Sequence, residues 1–377
     1  MSEYQYYEFL AIDRPLDRAA QDELRSISSR ARITPRSFVN HYEWGDFKGD
    51  PRKFMERWFD IHLYLANWGT RRLMLRVPTH FVKRKDIGRF LREIDEVEVW
   101  TSGDNLIVDI QRHEEGGYDD WDDGAGRLAT LAPLRTDLLS GDLRLFYLLW
   151  LTAVQDERVP DTESEPLPGI APLTGSLEAF AEFFYIDPDL VEAAAELHTN
   201  ETAMSGNDMQ RALAAIPERE KIGLLLRAVN GDTYVGAALR GRLRKKNPAP
   251  ATHRTAGTLR ARAREIREER ERANAERREA ERRSEAAKAA RAQRVRLKAL
   301  KQRGSDVWRE VETEIERRNP TGYDSAISLI SDLQALAVAE GNLDDFSRRI
   351  GSIRVRHERK GKFIERLNKL GSDSDEE

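Results

Sequence analysis

The stretch "TLRARAREIREERERANAERREAERRSEAAKAARAQRVRLKALKQR", Thr258–Arg303, runs for forty-six residues without proline or glycine and with almost no large apolar side chain. Alanine, arginine and glutamate are strong helix formers, and nothing here breaks a helix. The stretch therefore predicts one helix, about 69 Å long at 1.5 Å per residue. A coiled coil needs apolar residues on both seam lines. Leu259, Ile266, Ala273, Ala280 and Ala287 make one line, but its companion is Ala263, Arg270, Arg277, Ser284 and Arg291. Half the seam is charged, so the segment is coiled-coil-like in period only.

Charge gives the rod two readings. Pairs such as Glu268–Arg272 and Glu279–Arg283 sit at helical spacing, each contributing about 0.2–0.5 kcal/mol, which suits a solvated spacer arm. The rod also holds 17 Lys/Arg against 8 Asp/Glu, so it carries +9 while the remaining residues carry −13. Its second half, Ala286–Arg303, has seven cations and no acid: Lys288, Arg291, Arg294, Arg296, Lys298, Lys301 and Arg303. A basic arm of this kind can touch nucleic-acid phosphates.

The chain of 377 residues is long enough for two or three domains. It contains no cysteine, which excludes disulfides, thiolate zinc sites and a cysteine nucleophile. "MSEYQYYEFLAIDRPL" lacks the basic start and apolar run of a signal peptide. "LFYLLWLTAV" (145–154) is about half a membrane span and reads as a buried helix. A cytoplasmic protein with no membrane partner is expected.

Before residue 128 the periodicity alternates between two and 3.6. "YQYYEFLAI", "SFVNHYEW" and "TRRLMLRV" read as strands, and "VEVWTSGDNLIVDIQ" as a hairpin. Leu16, Ala20, Leu24 and Ile27 form a helical stripe behind Asp17. In "GDPRKFMERWFDIHLYLANWG", Asp50 and Pro51 open a helix with Phe54, Trp58, Ile61 and Leu65 on its apolar face, ending at Gly69. These elements predict an α+β domain over 1–127, with a single sheet and helices on one side; a ferredoxin-like arrangement is one topology that fits. A helical domain (128–244), a linker (245–257), the charged arm (258–318), a C-terminal helical segment (319–370) and an acidic disordered tail (371–377) follow. In the C-terminal part Gly304, Pro320 with Gly322, and Gly341 mark off three helices.

Candidate chemistry is sparse. None of the seven histidines has the spacing of a helical metal pair, and no phosphate loop, dinucleotide fingerprint or nucleophile elbow occurs. "DDWDDGAG" (119–126) fails as a calcium loop, because Trp121 and Thr130 stand where ligands should. His62, four residues after Trp58, reads as a core histidine; a pocket shared by Asp60, His62 and Trp68 would instead mark an enzyme. "EWGDF" and "NWGTRR" place Tyr42, Trp44 and Trp68 near Arg71, Arg72 and Arg76. Their first reading is tight turns with the indoles folded over apolar surface; the second is an edge that stacks bases or holds an anion.

"YYEFLAIDRPL", "ISSRARITPRSFVNHYEWGDFKGDP" and "YLANWGTRRLMLRVP" resemble an uncharacterised bacterial family that shares this region, about a third of the chain. The segment "YDSAISLISDLQALAVAEGNLDDFSRRIGSIRVRHERKGKFIERLNKLG" is similar to the helical tails of some bacterial SWIM-type zinc-finger proteins. That zinc motif requires cysteine, so no metal residue carries over. The resemblance implies a shared helical packing or docking module. The expectation is a non-catalytic interaction or scaffold protein with a helical spacer arm, a protein partner and no cofactor. The alternatives are nucleic-acid association through the arm and an enzyme with its site in the first domain.

Overall fold

The computed structural model describes residues 3–92, 94–113, 122–196, 206–243 and 254–372, and the chain falls into two units, Met1–Arg270 and Glu271–Glu377. In the first, β1 (Gln5–Leu10), β2 (Arg32–Thr34), β3 (Ser37–Tyr42), β4 (Ile61–Ala66), β5 (Thr70–Pro78), β6 (Val97–Ser102) and β7 (Asn105–His113) form one sheet. Its order is β2-β3-β1-β4-β5-β7-β6, and every pairing is antiparallel. A ferredoxin-like sheet is also antiparallel, but it has four strands set by two interlocked split β-α-β units, which this seven-stranded order does not reproduce. That topology is overturned, while the α+β class stands.

The pleat sorts side chains to two faces. Leu73, Leu75 and Val77 of β5 join Leu63, Leu65, Val108 and Ile110 under one helical layer. Met74 joins Tyr7, Phe9, Phe38 and Ile107 on the other face, beneath Leu24 of α1 (Arg18–Ile27) and Phe54 and Met55 of α2 (Pro51–Arg57). Helices thus cover both faces, not one. Asp17 caps α1 by accepting the Ala20 N–H at 2.8 Å, and Asp50 caps α2 by accepting the Arg52 N–H at 2.9 Å. However, α2 stops at Arg57, and the rest of the expected helix is β4, which pairs with β1 and β5.

After α3 (Arg84–Ile87) and a 3-10 turn (Gly88–Phe90) come α4 (Arg127–Leu131), α5 (Pro133–Leu139), α6 (Arg144–Gln155), α7 (Gly175–Phe183) and α8 (Pro188–Ala195). The residues of α6 from Leu145 to Val154 are all buried, as an all-round apolar helix requires. One continuous core runs from Tyr6 through these helices to Ile266, so packing shows no seam at residue 127. Next are α9 (Gly206–Ala214), α10 (Glu218–Val229), α11 (Val235–Leu243) and α12 (Ala256–Arg303). Most of the expected linker, 245–253, lies outside the described residues. Arg254, at its end, pairs with buried Glu165 at 2.9 Å. Ala256, Leu259, Ala263 and Ile266 are buried, so α12 starts as part of the first unit's core.

In the second unit, Leu297 and Leu300 of α12 pack with α13 (Asp306–Glu316), α14 (Pro320–Glu340), α15 (Leu343–Arg356) and α16 (Gly361–Ser372). Asn319 caps α14 and Gly341 ends it in the left-handed conformation at φ 71°. The expected last helix is two, α15 and α16, separated at His357–Lys360. The acidic end, 373–377, lies outside the described residues.

Candidate functional site

Five residues scattered through the first unit's sequence converge at one end of the sheet. Asp60, completely buried ahead of β4, accepts the backbone N–H groups of Ile12 and Asp13 at 2.7 and 2.9 Å. Its other oxygen accepts Arg76 Nη2 at 2.8 Å. Arg135 of α5 donates to both oxygens of Asp13, at 2.9 and 2.6 Å, and to the Arg76 carbonyl at 2.7 Å. The Tyr234 hydroxyl also donates to Asp13. Burial alone would raise the Asp13 carboxyl, but Arg135 and Tyr234 outweigh it and hold Asp13 below the ordinary carboxylate value. Burial, helped by Asp13, pushes Tyr234 up to about 12.

This cluster borders an open cleft of about 970 Å³ whose lining includes Asp13, Glu56, Arg57, Arg76, His80 and Tyr234. The walls carry both signs of charge, and the groups at the base hold one another. Asp13 stays ionised with both oxygens occupied, which makes it a poor proton acceptor. The cluster works as a latch between β1, β5, α5 and the segment before α11.

The edge proposed around Tyr42, Trp44, Trp68, Arg71, Arg72 and Arg76 is divided by the pleat. Arg71 lies beneath the helical layer, where it donates to the Phe183 carbonyl at 2.9 Å and sits 4.1 Å over the Tyr185 ring. Burial lowers its pKa. Arg72 points to the opposite face and pairs with Asp109 through contacts of 2.7 and 2.6 Å. Arg76 is held by Asp60. Tyr42 packs against the aromatic core, Trp68 is half-buried and Trp44 is 69% exposed.

His62 is fully buried, with its ring stacked 3.8 Å from that of Phe9. Its Nδ1 meets the Glu8 carbonyl at 3.0 Å; a carbonyl only accepts, so Nδ1 carries the proton. Burial lowers its pKa to about 3. Neither His62 nor Trp68 lines the cleft beside Asp60. Among the described residues, no group of three or more His, Asp or Glu side chains is placed to hold a metal ion.

Two surfaces remain open. On α10, Ile222, Leu225, Leu226 and Val229 are 50%, 66%, 57% and 83% exposed, and only Leu224 on this helix is buried. Their spacing of i, i+3, i+4 and i+7 is that of a helix face built to be covered. The signal was present in "EREKIGLLLRAV", but a sequence does not say which apolar stripes find cover.

The second surface is α12. Residues 267–296 are exposed throughout. Of its seven terminal cations, Arg296 pairs with Asp332, Lys301 with Glu340 and Arg303 with Glu310. Lys288, Arg291, Arg294 and Lys298 have no acidic partner among the described residues.

No family model matches the chain, and neither a curated protein nor a solved structure matches it. Among the described residues, no helix is long and apolar enough to cross a membrane.

Proposed function

We propose that this chain is a non-catalytic interaction protein that docks a protein partner on the exposed face of α10. The α12 helix would serve as a charged connecting arm. The α10 stripe carries the reading. Four large apolar side chains on adjacent turns form a contiguous patch, unlike isolated exposed residues such as Ile12 and Trp44. Amphipathic faces of this kind meet grooves or other helices through i, i+3, i+4 and i+7 anchors.

The arm reading rests on the exposed run 267–296, where Arg277–Glu281 and Arg283–Glu279 pairs support the helix along its own surface. The test is quantitative affinity purification from the native host, comparing the unaltered chain with a Leu225→Glu/Leu226→Glu variant. A stoichiometric partner that disappears with the variant supports docking on α10. Unchanged recovery of every co-purifying protein contradicts it.

A further inference from the structure

We infer that Lys288, Arg291, Arg294 and Lys298 form a sequence-independent binding stripe for the phosphate backbone of a nucleic-acid duplex. At about 100° per residue, these positions fall within roughly 120° of the helix circumference and span about 15 Å of its length. Upstream, glutamates stand among the cations: Arg277 meets Glu281 at 3.1 Å, Arg283 meets Glu279, and Arg272, Arg278 and Arg282 each have a glutamate three or four residues away. From Ala286 to Arg303 the helix has no acid, and Arg296, Lys301 and Arg303 are neutralised by α13 and α14.

The four remaining cations are placed against themselves. Lys288 with Arg291, and Arg291 with Arg294, are like charges three apart; Arg294 and Lys298 are four apart, and such neighbours destabilise a helix. A solvated face could relieve this with glutamates, as the upstream half of α12 does. A polyanion relieves it without them. Ala287 and Val295 lie within the stripe, so no tall neutral side chain holds a ligand away from the cations.

The choice of polyanion follows from the rest of the helix face. Binding flat on a membrane requires an extended apolar face beside the cations. Here Val295 is the one exposed large apolar side chain on the described helix. A duplex presents a charge about every 1.7 Å along its axis, dense enough to engage four cations over this length. The stripe offers only Arg and Lys, the side chains that neutralise phosphates, so binding driven by backbone contact is expected.

The test is fluorescence anisotropy of the full chain with a labelled duplex DNA of random sequence, from 50 to 200 mM KCl. Four phosphate contacts predict a log–log salt slope near −3.6, or roughly a 150-fold loss of affinity over that range. Replacing Lys288, Arg291, Arg294 and Lys298 together by Gln should weaken binding at least tenfold at 50 mM. Replacing Arg277, Arg278, Arg282 and Arg283 by Gln changes the net charge equally and should alter affinity less than threefold. Circular dichroism should show helicity retained in both variants.

Absence of binding at 50 mM, or equal weakening by the two variants, overturns the stripe. Equal or tighter binding to phosphatidylserine vesicles or polyglutamate overturns its assignment to nucleic acid. The outcome is independent of docking on α10, since neither set of substitutions touches that helix.

Discussion

Arg135 and Asp13 stand 122 residues apart in sequence and meet through paired hydrogen bonds of 2.9 and 2.6 Å. The guanidinium and the carboxylate are 4% and 17% exposed, so this ion pair sits largely away from water. It fastens α5 to the segment that follows β1. Arg135 also bonds the Arg76 carbonyl, and Asp60 beside it has no exposure at all. Truncating one partner of such a pair leaves the other buried and uncompensated.

Arg135→Ala should therefore destabilise the first unit by about 3–5 kcal/mol. Arg135→Lys should recover only part of the loss, since an ammonium cannot span both Asp13 oxygens and the Arg76 carbonyl in one plane. Denaturant unfolding followed by tryptophan fluorescence reads both. A loss below about 1 kcal/mol for the alanine variant would show that the latch contributes little.

His62 predicts a pH dependence. The unfolded chain takes up the imidazole proton near 6.5, whereas burial delays uptake in the fold to about 3. Between those values the unfolded state binds more protons, so stability falls as pH is lowered. The expected slope from this residue is about 1.4 kcal/mol per pH unit. Asp13, held below its ordinary value of 3.8, loses its stabilising contribution only at lower pH. Burial raises the Glu8 carboxyl, which opposes the His62 slope. The contribution of His62 is therefore the difference in slope between the unaltered chain and its variant from pH 6.5 to 4.5. His62→Phe should flatten the slope across that window, and an unchanged slope would assign the proton uptake elsewhere.

The two parts of α12 should respond differently to substitution. Leu259 is 1% exposed within the first unit's core, so Leu259→Ala should cost about 2–5 kcal/mol. Arg282 is exposed and outside any core, and Arg282→Ala should stay within about 0.5 kcal/mol. Thermal unfolding of the two variants beside the unaltered chain distinguishes a docked entry from an unsupported rod.

Local signals account for what was legible in the sequence. The Asp17 cap, the Asp50–Pro51 helix start, the alternation of β5, the Gly103–Asp104 turn and the breaker-free α12 each act within a few residues. The β4 segment was not legible, because Phe54, Trp58, Ile61 and Leu65 fit a helical stripe while Ile61, Leu63 and Leu65 equally fit a strand face. Pairing with β1 and β5 decides between them, and neither partner is local. The three arginines of "TRRLMLRV" looked like one patch, but a period of two sends Arg71 opposite to Arg72 and Arg76. Asp109, Asp60 and the Phe183 carbonyl then engage them from distant parts of the chain. The Asp13–Arg135–Tyr234 cluster was invisible for the same reason: Tyr234 lies 221 residues from Asp13.

Site-specific photo-crosslinking in the native host tests the docking face most directly. A photoreactive residue at position 226 should yield a discrete protein adduct that Ile222→Glu suppresses, while the same residue at exposed position 282 should not yield it. Failure to form an adduct at 226, or an adduct of equal yield at 282, would contradict docking on α10.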